Sequence, residues 1–272
     1  MLAELFKQSA ESFLNFVVTT SNSPSPGQTE RAKNIAVYFE VPFAERRDLS
    51  FKDLARISCA EGLLVLSLNR LTFIMGEHEF FFHPGLARLR IKGVRNGAAD
   101  QMIGAMSLRA GDSVLDCTMG LGTDAIVASY AAGAAGRVTG LESSAIIAEL
   151  VKRGLSAYQD DDQDIKLAMR RINVINKNNK EYLASLEAGS YDIVYLDPMF
   201  RFPRLMSSAI NTARMLANHD PVDCETVELA INVAARRVVM KERRGSAEFD
   251  RLGFKHIIGG RHAPVAYGVI ER

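Results

Sequence analysis

Ser113-Val-Leu-Asp-Cys-Thr-Met-Gly-Leu-Gly-Thr-Asp124 decides the fold. A short apolar run ends in an acid, two glycines follow, and Thr123 to Ala132 then carries a helical pattern, so the stretch reads as strand, tight turn and helix. Working outward, Arg137 to Leu141 reads as a second strand. Ser143 to Tyr158 reads as a helix with apolar positions at Ile146, Ile147, Leu150, Val151 and Leu155. Further strands are expected at Ile172 to Ile175, Tyr191 to Leu196 and Arg237 to Met240. Lys255 to Ile258 and Val265 to Ile270 surround Gly259, Gly260 and Pro264 and read as a closing antiparallel hairpin. Repeated βαβ units predict an α/β fold with a doubly wound, mostly parallel Rossmann-like sheet, whose ligands sit outside the carboxyl ends of the strands. The run Asp160-Asp-Asp-Gln-Asp164 reads as a solvated acidic turn.

Toward the amino terminus this rhythm is missing. Phe16 to Thr20 is β-branched and reads as a strand, Ser21 to Gly27 as a loop, and Thr29 as the cap of a helix through Phe39. Ser50, with Asp53 three positions on, opens a second helix, and Gly62 to Leu66, Thr72 to Met75 and Glu79 to Phe82 are short strands. The division expected is a small α+β domain over 1–95 and the doubly wound domain over 96–272.

Composition excludes several classes. Of the 272 residues 47% are hydrophobic and 24% charged, the balance of a globular chain rather than a disordered one. Lys+Arg at 33 against Asp+Glu at 32 creates no global field for a polyanion, so any nucleic acid must be held by a local patch. Cys59, Cys117 and Cys224 lack disulfide or metal-ligand spacing, and no metal is expected. Glu4, Lys7 and Glu11 interrupt what a secretory leader needs, and no apolar run reaches the roughly 18 residues of a membrane span, so a cytoplasmic protein is expected.

Gly120 and Gly122 allow the backbone to turn tightly and approach a ligand, and the helix behind them points unpaired N–H groups at it. Glu142 ends the second strand twenty residues after Gly122, where a carboxylate accepts hydrogen bonds from a ribose diol. Both features describe an adenosine-containing ligand. Gly120, Gly122 and Ala125 also satisfy a loose dinucleotide fingerprint, but Asp116, four residues before Gly120, repels a pyrophosphate and welcomes a sulfonium cation. S-adenosylmethionine is the favoured cofactor. At the end of Tyr191 to Leu196 stand Asp197-Pro198-Met199-Phe200. Asp197 can accept a hydrogen bond from an exocyclic amine, Pro198 fixes the backbone beside it, and Phe200 offers a stacking surface.

That corner resembles the Asp/Asn-Pro-Pro-aromatic motif of class I methyltransferases acting on exocyclic amines of nucleobases, with Met199 in place of the second proline. Together with Val114 to Ala125, Leu141-Glu142, Val194 to Phe200 and Arg236-Arg-Val-Val-Met-Lys241, it resembles the RsmJ family of bacterial small-subunit ribosomal RNA guanine-N2 methyltransferases, over about residue 80 to the end. By this resemblance Thr123, Asp124, Glu142, Ser143, Asn178, Asn179 and Asp197 bind the methyl donor, with Thr123 and Ser143 where the family has arginines and Asn178-Asn179 where it has serines. The implied partner is ribosomal RNA, held by Arg88, Arg90, Lys92 and Arg95 and by Arg236, Arg237, Lys241, Arg243 and Arg244, which flank the cleft in chain order. The same residues leave open a methyltransferase for a small-molecule or protein amine, a nicotinamide-dependent oxidoreductase, and an RNA-binding module without turnover.

Overall fold

The computed structural model describes residues 14–68, 70–198, 216, 220–261 and 263–272. The chain divides into two compact units, Met1–Phe81 and Phe82–Arg272, so the helix Gly85–Arg95, expected with the amino-terminal domain, lies in the second unit.

In the first unit, strands β1 (Phe16–Thr20), β2 (Gly62–Leu66), β3 (Leu71–Met75) and β4 (His78–Phe81) form a sheet in that order. β1 and β2 are parallel and the other pairs antiparallel. Helices α1 (Pro26–Tyr38) and α2 (Phe51–Ile57) connect β1 to β2. Val17, Leu54, Leu63, Val65 and Ile74 form a buried cluster here. Ser50 caps α2 as expected, its Oγ accepting the Asp53 N–H at 3.1 Å. Helix α1 is capped four residues earlier than the expected Thr29. Ser25 caps it, accepting the Gln28 N–H at 3.2 Å, and Pro26 occupies the first turn, where its fixed φ suits the helix and its missing N–H is not needed.

The second unit opens with α3 (Gly85–Arg95) and α4 (Gln101–Met106), and then alternates. β5 (Ser113–Asp116), α5 (Thr123–Ala132), β6 (Arg137–Glu142), α6 (Ala145–Ala157), α7 (Gln163–Arg170), β7 (Ile172–Asn176), α8 (Asn179–Ala184) and β8 (Tyr191–Leu196) come first. After them stand α9 (Cys224–Val233), β9 (Ala234–Arg243), α10 (Glu248–Arg251), β10 (His256–Ile258) and β11 (Val265–Glu271). The sheet order is β10-β11-β9-β8-β5-β6-β7. β7, β6, β5, β8 and β9 are mutually parallel, and β11 is antiparallel to both β9 and β10, so the closing hairpin is present as expected. Leu115, Leu141, Val194, Val238 and Met240 are among the buried residues of one continuous core, which explains the apolar runs of the central strands.

Two local readings change. Helix α6 starts at Ala145, capped by Ser144, rather than at the expected Ser143. The acidic run is not merely solvated: Asp160 has no side-chain exposure and pairs with Arg88 at 2.9 Å, while Asp162 caps α7 and pairs with Arg95 at 2.7 Å. The run therefore ties α3 to the corner between α6 and α7. Among the described residues, no helix is long and apolar enough to cross a membrane.

Candidate active site

The chain winds from β5 to β6 and β7 on one side and continues with β8 and β9 on the other, so the strand order reverses between β5 and β8. At such a switch point the connections leave on opposite faces and open a crevice outside the carboxyl ends of the strands. Both motifs singled out in the sequence meet there. Val114 to Asp116 of β5 pair with Ile193 to Tyr195 of β8, so the loop after Asp116 and the corner after Leu196 emerge side by side.

Gly122 stands in the left-handed region at φ +77°, a conformation that costs a side chain energy but lets the chain reverse directly into α5. The turn is fixed from behind. The Met119 N–H donates to the Leu141 carbonyl at 2.9 Å, and the Met119 side chain lies where a Cβ on Gly140 would fall, 2.0 Å from its sulfur. Glu142, buried at the end of β6, accepts the Gly120 N–H at 3.1 Å on one oxygen and the Ser144 N–H at 2.8 Å on the other. Burial raises its pKa while these N–H groups oppose the rise. Each oxygen keeps a second lone pair, the acceptor capacity that a vicinal diol requires. Asn176, which the sequence reading passed over, steadies this edge by donating from Nδ2 to the carbonyls of Glu142 at 2.8 Å and Ser143 at 2.9 Å.

Asp116 is 2% exposed and accepts the Thr118 N–H at 3.1 Å. Burial, with Asp124 adding to it, pushes this carboxyl well above the usual range. A buried acid so short of positive neighbours fits a cationic ligand, whose arrival would favour the ionised form. Thr118 continues the link, its Oγ1 accepting the Asp197 N–H at 2.6 Å.

Asp124 and Asp197 converge on one ammonium. Lys241 of β9 donates to Asp197 Oδ2 at 2.7 Å and to Asp124 Oδ2 at 2.9 Å. Asp124 also accepts the Tyr195 hydroxyl at 2.8 Å and pairs with Arg90, which grips Asp100 at 2.8 and 3.0 Å. Burial works against ionising Asp124, yet Lys241 and Arg90 outweigh it and bring the carboxyl down to about 2. Burial pushes Asp197 up to about 6, with Lys241 pulling against the rise and Asp124 adding to it. Burial opposes the Lys241 charge, but Asp197 and Asp124 hold it protonated well beyond the usual lysine range.

The sequence candidates are thus sorted. Asp116, Gly120, Gly122, Thr123, Glu142, Asp197 and Pro198 border the crevice through the carboxyl ends of β5, β6 and β8. Ser143 is one residue beyond β6. Asn178 uses Oδ1 to cap α8, accepting the N–H groups of Lys180 at 2.9 Å and Glu181 at 3.4 Å, and Asn179 is the first residue of that helix. Asp124, a donor-binding candidate by the resemblance, has its carboxylate in an internal charge network with Arg90, Tyr195 and Lys241. Phe200 and Met199 lie outside the described residues.

The basic stretches are not open patches. Arg88, Arg90 and Arg95 pair with Asp160, with Asp100 and Asp124, and with Asp162 and Asp164. Arg236 pairs with Asp112, and Arg237 with Glu271 at 2.9 Å. These two lie at the amino end of β9, the edge of the sheet opposite the crevice, because β9 runs parallel to β8. Lys241 is in the crevice itself. Lys92 and Arg244 are exposed, and Arg244 donates only to neutral carbonyls, those of Gly260 and Arg261 at 2.6 and 2.5 Å, which leaves its charge uncompensated by them.

Residues 71–261 match the family model of SAM-dependent methyltransferases. The protein YpiP of Bacillus subtilis is 35% identical over 94% of this chain and 99% of its own length. Ribosomal RNA small subunit methyltransferase J of Thioalkalivibrio sulfidiphilus is 36% identical over 47% of this chain and 51% of its own. The enzyme of that name from Desulfotalea psychrophila is 27% identical over 79% and 82%. Among solved structures, the SAM-dependent methyltransferase NGO1261 of Neisseria gonorrhoeae shares the fold, with a TM-score of 0.63 at 18% identity over 94% of this chain and 95% of that one. With the family model spanning most of the chain, the chain belongs to the SAM-dependent methyltransferases, and S-adenosylmethionine is its cofactor.

Proposed function

We propose that the chain methylates an exocyclic amine of small-subunit ribosomal RNA, guanine N2 by its resemblance to the RsmJ family. One observation carries this reading: Asp197-Pro198 follows β8 directly beside the glycine loop after β5, so an amine acceptor and a donor cradle share one crevice. The relatives named ribosomal RNA small subunit methyltransferase J support the substrate class.

In this reading Glu142 holds the ribose diol, Gly120, Gly122 and Thr123 line the approach, Asp116 faces the positive end, and Ser143, Asn178 and Asn179 flank the adenine side. The cofactor, when bound, supplies an electrophilic methyl group on a sulfonium. Asp197 accepts an N–H of the incoming amine and holds its lone pair out of the aromatic ring, Pro198 restricts the backbone beside it, and Phe200 stacks on the base. As the amine accepts the methyl group, the Asp197 carboxylate would take up the surplus proton. Orientation and electrostatics carry such a step without a covalent enzyme intermediate. The base must be unstacked to reach the crevice. For phosphate contacts the reading now rests on the exposed Lys92 and Arg244, since Arg88, Arg90, Arg95, Arg236, Arg237 and Lys241 are paired with carboxylates.

The test is mass spectrometry of 16S ribosomal RNA nucleosides from strains with and without the gene. The expected result is one N-methylated nucleoside lost on deletion, restored by the wild-type gene and not by Asp197→Ala. An unchanged nucleoside profile would overturn the RNA assignment and leave a small-molecule or protein amine as the acceptor.

A further inference from the structure

We propose that Lys241 is a positioning residue for methyl transfer, clamped between Asp124 and Asp197 so that the Asp197 carboxylate is fixed in place and ready to accept the substrate amine. This role rests on the reading of Asp197 given above.

The geometry is specific. β8 and β9 are parallel with Leu196 opposite Met240, so the next pair in the same register is Asp197 and Lys241. Met240 belongs to the buried core cluster, and strand alternation turns Lys241 to the other face of the sheet. Its ammonium divides two donors between Asp197 Oδ2 at 2.7 Å and Asp124 Oδ2 at 2.9 Å. The partner that aims it is itself immobile: Asp124 is held by the Tyr195 hydroxyl at 2.8 Å and by Arg90. Side-chain exposures of 10% for Asp124, 20% for Lys241 and 26% for Asp197 rise toward the crevice, so the cluster is anchored inside and open at its reactive end.

A buried ion pair by itself is weak evidence of a stabilising role, because desolvation offsets much of the attraction. Here the charge balance argues for function. Among the described residues, the groups facing Asp197 are Asp116 from β5, Asp124 from α5 with Arg90 of α3 behind it, Tyr195 of its own strand and Lys241 from β9, with Tyr267 of β11 paired opposite Lys241. Two of these are acids, Arg90 is committed to Asp124 and Asp100, and among the described residues Lys241 is the cation in contact with Asp197. Without it Asp197 would face Asp124 uncompensated and take up a proton, losing the acceptor that the amine needs.

The test compares wild type with Lys241→Met and Lys241→Arg. Carbon-13 NMR of Asp-labelled protein, with the Asp197 signal assigned by Asp197→Asn, follows the carboxyl directly and needs no substrate. Removal of a cation in contact is expected to raise its midpoint by about 1–3 pH units, and Lys241→Arg should return most of that shift. In parallel, methyl incorporation into small ribosomal subunits from the deletion strain is followed against pH. A rise of about 2 units makes Lys241→Met about tenfold slower near neutrality and restores it by about pH 9, with KM for the subunit little changed. An unmoved carboxyl midpoint, or a rate loss equal at every pH, overturns the proposal. Should Lys241→Met not fold, Lys241→Gln is read in the same way. A shifted midpoint with no methyl accepted by the subunit from wild-type enzyme would refute the RNA assignment alone, and the clamp would stand.

Discussion

Replacing Arg88 by Met asks whether the basic helix α3 is a structural brace or a phosphate contact. Arg88 Nε lies 2.9 Å from Asp160 Oδ2, and the Asp160 side chain has no exposure at all. Asp160 Oδ1 also accepts the Asp162 N–H at 3.0 Å, a single hydrogen bond for a full charge. Removing one member of a buried pair leaves the other uncompensated, at a cost of about 3–5 kcal/mol. For a unit of this size each kcal/mol moves Tm by about 2–4 °C, so calorimetry should find the transition of the Phe82–Arg272 unit lower by about 6–20 °C. Urea unfolding should give the same free-energy loss. The double variant Arg88→Met/Asp160→Asn keeps the acceptor for the Asp162 N–H while removing the stranded charge, and should regain most of the loss. A single variant within about 1 kcal/mol of wild type, or a double variant no better than the single one, would refute the reasoning and return Arg88 to the candidate RNA contacts.

Two further outcomes follow from the site. The Asp124 carboxyl, brought from 3.8 to about 2, contributes on the order of 2 kcal/mol of stability that is complete above about pH 4 and is lost as pH falls through 2. Urea midpoints of wild type and Asp124→Asn should therefore converge between pH 4 and 2, whereas parallel curves would show that the network does not lower this acid. Asp197 acts in the opposite sense, since its carboxyl is pushed up to about 6 and its contribution is lost as pH rises through that value, so the two windows are separable. Glu142→Ala removes two charge-assisted contacts to the ribose and should weaken S-adenosylhomocysteine binding by about 3 kcal/mol, over a hundredfold by titration calorimetry. A Kd within about threefold of wild type would remove Glu142 from the donor site.

Much of the crevice was legible in the sequence because its two motifs are local. Gly120 and Gly122 between a strand and a helix, Glu142 at the end of the next strand, and Asp197-Pro198 after Leu196 each announce their backbone context within a few residues. The start of α1 was misplaced because Ser25-Pro26 reads equally as a loop, and only the formed helix shows proline serving its first turn. Asp160 was misread for another reason. Five neighbouring acids and amides look solvated until a cation 72 residues away in sequence, Arg88, is folded against them.

The sequence by itself determined the alternating α/β rhythm, the glycine turn, the two carboxylates at strand ends and hence the class of cofactor, because each depends on periodicity or on a residue's own backbone preferences. Tertiary structure decided which charges are free. It turned most of the expected RNA-binding arginines into internal ion pairs, placed the Asp124 carboxylate in a charge network with Arg90 and Lys241, and brought Lys241 to Asp197 across 44 residues of chain. Ion pairing acts through space over a few ångströms, and strand register, which is set by the whole sheet, is what brings such distant residues within that range.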